Sequence, residues 1–117
     1  MDIEKLNQAI LKMIEDSKEG IVSAGIYGSK DDLLIVGNNT SDGVTSVVNH
    51  LFKVFFEKLQ MFDFSNSLDV SVLVFEDKVF YTSKINDDFS LTTILDPKKI
   101  EIGHFKGVLL REFYKMI

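Results

Sequence analysis

His50 and His104 are the only imidazoles in a chain that has no cysteine, so metal or nucleophilic chemistry would have to be assembled from very few parts. Neither belongs to a His-x-x-x-His pair, the spacing that sets two ligands on one face of a helix. His50 reads as a polar-face residue of a helix, and His104 as a surface or hinge side chain rather than a general base. The acid pairs Asp31-Asp32 and Asp87-Asp88 each fall between strand-like runs. Acid–base work needs carboxylates opposed across a cleft, whereas short acids in a hairpin loop bond the nearby backbone and favour turns. Gly103 and Gly107 form a Gly-x-x-x-Gly in charged surroundings, which suits close helix–sheet approach better than pairing in a membrane. There is no Gly-x-x-x-x-Gly-Lys phosphate loop, so the chain is not expected to bind GTP itself. The sequence thus offers no catalytic residue, no metal ligand and no cofactor site, and the reading is of a protein that is not an enzyme.

The elements that would carry these residues follow from hydrophobic period. Residues 2–19 repeat apolar side chains at helical spacing, with Ile3, Leu6, Ile10, Met13 and Ile14 on one stripe, Asp2 placed to cap the start and Gly20 placed to end it. Ile21–Tyr27 and Leu33–Gly37 are β-rich runs around the turn formers 28–32 and predict an antiparallel hairpin. A second helix is expected over about 42–62, capped by Ser41 or Asp42. Leu68–Phe75, Val79–Ile85 and Phe89–Leu95 predict a three-stranded meander, and Asp96-Pro97 ends it. Ile102, Phe105, Val108, Leu109, Phe113 and Met116 recur at helical spacing and predict a closing helix. The order αββαβββα fits an α/β sandwich, with a five-stranded antiparallel sheet in order 2-1-5-4-3. The first and last helices are expected on one face and the middle helix on the other.

With 117 residues, one proline and no Gly/Ser-rich linker or long repeat, the chain reads as one domain over 1–117. The acidic balance, 13 bases against 18 acids for a formal charge of −5, opposes binding to nucleic acid or anionic membranes. No signal peptide or spanning helix is expected near the N-terminus, and the absence of cysteine suits a reducing interior, so the expected location is the cytoplasm. Proteins are the expected partners.

The middle helix is the most telling element. Val44, Val48, Leu51, Phe55, Leu59 and Phe62 form its central stripe, with Val47, Val54 and Met61 on one flank and Phe52 and Phe56 on the other. The apolar arc spans about 220°, about twice what a helix lying on one sheet needs. Either loops wall the helix in, or a flank packs on another chain, and the second is favoured because exposed apolar area of this size marks an interface. The run Leu68–Phe75 lies at the sheet edge in the expected order, and no lysine or proline interrupts it. Asp69 is the one residue placed to oppose pairing there. Both features point to a two-fold dimer with Val47, Leu51, Val54, Phe55, Met61, Leu68, Val70, Val72 and Leu73 at its interface.

The segment order, the Ala24-Gly25-Ile26-Tyr27-Gly28 strand entering a polar hairpin, and Ile102-Gly103-His104-Phe105-Lys106 opening the last helix resemble the roadblock/dynein light chain family along essentially the full chain. The resemblance implies a homodimer with a ten-stranded sheet and paired middle helices. It also implies a regulator or scaffold for a small Ras-like GTPase, sometimes an activating partner. The GTPase would then meet the more polar positions of the middle helix, Ser46, Asn49, His50, Lys53 and Glu57. This chain departs from many relatives in placing Phe52, Phe55 and Phe56 where smaller residues are common. Arg111, the sole arginine, invites comparison with an arginine finger, but its place in the last helix reads as a solvated charge.

The rival reading is a small-molecule sensor of profilin-like or PAS type, which shares a five-stranded antiparallel sheet. Phe52, Phe55, Phe56, Tyr81 and Phe89 would line its pocket.

Overall fold

The computed structural model describes residues 2–63 and 69–117. Helix α1 (Ile3–Asp16) is opened by Asp2, whose side chain accepts from the Glu4 backbone N–H, and it buries Leu6, Ala9, Ile10 and Met13. It stops before Gly20, contrary to expectation. Lys18 and Glu19 both take left-handed backbone, with φ of 50° and 69°, and reverse the chain themselves. Gly20 serves a different purpose: a Cβ there would stand 2.7 Å from Cβ of Ile100, so its lack of a side chain lets two chain segments meet.

Strands β1 (Ile21–Gly28) and β2 (Leu34–Asn38) form the expected hairpin. Helix α2 (Val44–Leu59) follows, with Gly43 at its N-cap and the Asp42 carboxylate accepting from the Val44 N–H. A short 3₁₀ turn, Gln60–Phe62, ends it. Strands β3 (Val70–Val74), β4 (Val79–Lys84) and β5 (Phe89–Leu95) complete one antiparallel sheet in the order β2-β1-β5-β4-β3, as expected. The expected strand start at Leu68 lies outside the described residues. Among the described residues no helix is long and apolar enough to cross a membrane.

The last helix, α3, spans 102–116 and is not a regular α-helix. An opening turn, Ile102–His104, runs into a π-helical segment, Phe105–Leu109, and then into the α-helical Leu110–Met116. The wide turn takes in an extra residue and shifts the phase. Phe105, Leu109, Leu110 and Phe113 therefore point inward, while Val108 and Met116, expected on the buried stripe, are exposed.

The apolar core sits between the sheet and the pair α1 and α3, around Leu6, Ile10, Ile26, Tyr81, Leu91, Leu95, Phe105 and Phe113. Each such side chain contributes about 1.5–3 kcal/mol when fully buried. Tyr81 and Phe105 meet edge to face with ring centroids 5.0 Å apart. Helix α2 contributes no residue to this cluster. The molecule thus has a greasy side and, beneath α2, a polar one.

Candidate functional site: the outward face of helix α2

What holds α2 on the sheet is largely hydrogen bonding. Its buried residues are Thr45, Val48, Asn49 and Phe52. The Thr45 hydroxyl lies 2.6 Å from the hydroxyl of Tyr27 on β1. One turn on, the Asn49 side-chain carbonyl accepts from Ser90 Oγ at 2.8 Å and Thr92 Oγ1 at 3.2 Å, and Thr92 in turn lies 2.8 Å from Thr82 Oγ1. Buried polar groups of this kind are costly unless paired, and pairing fixes one register of helix on sheet. Gly25 belongs to the same arrangement. A Cβ there would sit 2.8 Å from the Tyr27 ring, so glycine leaves room for the ring that reaches Thr45.

This geometry rotates α2 relative to expectation. Spacing puts the central stripe at Val44, Val48, Leu51, Phe55, Leu59 and Phe62, yet of these only Val48 is buried. Hydrogen-bonded Thr45 and Asn49 occupy the inner face and turn the greasiest residues outward. Val47 is 67% exposed, Leu51 51% and Phe55 61%, and Met61 and Phe62 beyond them are more open still. Val54 is half-buried.

The sheet beneath is incompletely covered. Helix α2 lies on β5 and β1 and reaches β4 only at its margin. On the same face, Leu73 and Phe80 form a cross-strand pair that is only half-buried, and Phe75 packs edge to face on Phe80 while remaining exposed. β3 is an edge strand, with its outer backbone unpaired by any described strand. Val70 and Val72 are exposed on its opposite face. Of the expected interface positions, Val47, Leu51, Val54, Phe55 and Met61 are thus gathered on α2 and the turn that ends it, and Val70, Val72 and Leu73 on the free edge. Leu68 lies outside the described residues.

The expected polar positions separate into two groups. Ser46, His50 and Glu57 lie away from the sheet and Lys53 is half-buried, but Asn49 faces the sheet and is not on the outward surface. The reason is its two hydroxyl partners beneath. Its Nδ2 also stands 3.5 Å from Asp32, which draws three residues of α2 together. The Asp32 carboxylate lies 2.8 Å from His50 Nδ1 and 3.5 Å from Lys53 Nζ, and Lys53 also donates to the Lys30 carbonyl at 3.3 Å. Asp32 is the turn former its sequence context predicts, at φ 58°. It also ties the hairpin to α2, a second role that the sequence does not reveal. The i, i+4 pair Thr45 and Asn49 inside an apolar helix is the available signal for a polar inner face.

A cleft of about 310 Å³ opens between α2 and the β3–β4 edge, with Phe52 and Phe56 on one wall and Ser71, Thr82 and Lys84 on the other. The five aromatics expected to share a sensor pocket do not converge on it. Tyr81 belongs to the core on the opposite face of the sheet, and Phe55 points outward. Among the described residues no three His, Asp or Glu side chains gather as a metal site would require.

No family model matches the chain, and no curated protein matches it. Solved structures do. MglB from Myxococcus xanthus superposes with a TM-score of 0.78 at 13% identity, covering 98% of this chain and 86% of that one. A roadblock/LC7 domain from Streptomyces avermitilis gives 0.70 at 10% identity, over 93% of this chain and 91% of that one. The gliding protein MglB from Thermus thermophilus gives 0.70 at 11% identity, over 95% and 87%. Strand order, helix placement and near-complete mutual coverage agree: this chain has the roadblock/LC7 fold.

Proposed function

We propose that the chain is a non-catalytic regulator or scaffold that works as a homodimer in the cytoplasm and receives a small Ras-like GTPase on its paired α2 helices. One observation carries the dimer. A single copy leaves both the apolar flank of α2, with Leu51 and Phe55 exposed, and the free sheet edge, with Leu73 and Phe80 half-buried and Phe75 exposed, without cover. A two-fold axis past that edge lets the flank of each α2 cover what the other copy leaves open, and joins β3 to β3 in a ten-stranded sheet.

The GTPase role rests on the fold and on the family resemblance of the sequence. With Leu51 and Phe55 consumed by the dimer, Ser46, His50, Lys53 and Glu57 remain on the rim of the helix pair, where charged positions set specificity and on-rate. Lys53 and His50 are held by Asp32, so the rim is preorganised. Any stimulation of hydrolysis would come from repositioning the partner's own residues. The test is binding of a small GTPase in its GTP-analogue and GDP states, with turnover measured in parallel. State-dependent binding that is lost in Lys53→Glu/Glu57→Lys supports the reading, and faster turnover makes it an activator. Equal, variant-insensitive binding of both states removes it.

The cleft beside Phe52 and Phe56 gives the sensor reading its remaining foothold. A monomer that retains a small molecule through purification, seen by mass spectrometry, would favour that reading instead.

A further inference from the structure

We propose that the cleft between α2 and the β3–β4 edge binds a small organic anion, a carboxylate carried on a ring or a short apolar body. The inference rests on the cleft's own groups, all from one copy, and on neither the GTPase reading nor the sensor reading. Along the β3–β4 ladder the apolar pair Leu73–Phe80 gives way, two residues on, to Ser71–Thr82, so the cleft begins where the apolar patch of the sheet ends. Its volume is about 310 Å³. At the ~30 Å³ that a water molecule takes up in the liquid, there is room for about ten non-hydrogen atoms, the size of a ring with one acidic group.

Two ends of the cleft differ in chemistry. Asn49, Phe52, Lys53 and Phe56 fall at helical spacing on the side of α2 that lines it. Phe52 is buried and Phe56 half-buried, and together they wall the space for an apolar body. At the other end, Lys84 pairs across the sheet with Ser90, whose hydroxyl donates to Asn49 at 2.8 Å. Strand and helix thereby bring Lys84 and Lys53 to the neighbourhood of one buried amide.

The sign of the occupant follows from where the charges stand. Asp32, Glu57, Asp69 and Asp87 line the cleft against two lysines, a balance that by count alone favours a cation. Exposure reverses it. Glu57 and Asp69 are exposed and the Asp87 side chain is 94% exposed, so water screens all three. The inner carboxylate, Asp32, is already engaged by His50 at 2.8 Å and by Lys53 and Asn49 at 3.5 Å each. The lysine side chains are the sheltered charges, 30% exposed at Lys53 and 35% at Lys84, and each ammonium carries three donors. Among the described residues the ion pair of Lys84 is with the exposed Asp87, and Lys53 makes only the long contact with Asp32 and one at 3.3 Å with the Lys30 carbonyl. The buried Asn49 amide spends one of its two N–H donors on the 3.5 Å contact with Asp32. The inner cleft therefore holds more donors than acceptors, and a carboxylate is the group that uses them, through charge-assisted hydrogen bonds.

The test titrates the full chain with benzoate and with benzylamine, one ring carrying opposite charges, followed by amide resonances. Benzoate is expected to saturate one site per chain about tenfold more tightly than benzylamine, the factor that one charge-assisted hydrogen bond supplies. The shifts should centre on Asn49, Phe56, Ser71 and Ser90. Lys53→Met/Lys84→Met should remove most of the preference, and Ser71→Phe, which fills the cleft and leaves both lysines in place, should weaken both probes. Equal affinity for the two probes in the wild-type protein overturns the proposal whether or not a variant folds, as does tighter binding of benzylamine. Benzoate shifts that do not saturate, or benzoate binding that survives both variants, also overturn it. Sedimentation of the same samples keeps the readings apart: benzoate on a dimer supports the site with the GTPase reading standing, and benzoate on a monomer supports the site and favours the sensor.

Discussion

The carboxylate of Asp32 lies 2.8 Å from Nδ1 of His50, and through this contact the β1–β2 loop holds the outward rim of α2. His50 is largely exposed, so the pair itself contributes about 0–1 kcal/mol. The backbone matters more. Asp32 is left-handed at φ 58°, a conformation that costs most L residues about 1–2 kcal/mol and Asn or Gly less. Urea denaturation should rank Asp32→Ala below Asp32→Gly and Asp32→Asn, by about 1 kcal/mol. Equal stability of the three would mean that the loop does not hold this backbone.

The ladder beneath α2 gives a sharper expectation. Asn49→Leu removes the acceptor of both Ser90 and Thr92, leaving the Ser90 hydroxyl unpaired and Thr92 with Thr82 alone, at a cost of about 1–3 kcal/mol. Adding Ser90→Ala, which removes the orphaned hydroxyl and keeps the Thr82–Thr92 pair, should recover most of it, because removing all partners of a buried bond is far cheaper than removing one. A double variant no better than Asn49→Leu would place the cost in shape instead.

Gly25→Ala tests the same interface from the strand side. The new Cβ meets the Tyr27 ring at 2.8 Å and must displace it from Thr45. Overpacking of this kind costs about 1–3 kcal/mol. The loss should shrink in a Thr45→Val background, where the Tyr27 hydroxyl has already lost its partner, and a fully additive double variant would contradict the coupling.

How much of this is legible in the sequence differs by element. Strand order, helix faces and the free edge at Val70–Val74 follow from hydrophobic period and turn chemistry, because each strand is bounded by turn formers and each run is short. The rotation of α2 is not legible from apolar count. Counting puts Leu51 and Phe55 at the centre of the buried stripe, while the fold puts Thr45 and Asn49 there, since their partners lie on strands far away in sequence. The phase of α3 is hidden for a local reason: a π turn cannot be read from spacing that assumes a regular helix, which places Val108 inside and passes over Leu110. Of the candidate site, the apolar α2 flank is legible and the Asp32 clamp is not, because a turn-forming acid and an anchoring acid look alike in one sequence.

All three tyrosines of the chain, Tyr27, Tyr81 and Tyr114, have pKa values raised above 10.0, in each case chiefly by burial. The folded state therefore holds these protons more tightly than the unfolded one. Their contribution is fully present below pH 10 and is lost as pH rises through the folded values. Tyrosinate absorbance should stay low just above pH 10 and then appear together with loss of the circular dichroism signal. Gradual ionisation of all three with the fold intact would contradict their burial.

The central claim is that a single copy leaves its α2 flank and sheet edge open for a second one, and sedimentation equilibrium tests it most directly. The account predicts a mass twice the 13.3 kDa of the chain. Phe55→Glu and Leu73→Glu should each return the mass to that of one chain with an unchanged circular dichroism spectrum, since a charge in an apolar interface must be desolvated. Lys12→Glu, on the exposed face of α1, should remain paired. A wild-type protein that sediments as a single chain at every concentration would contradict the account.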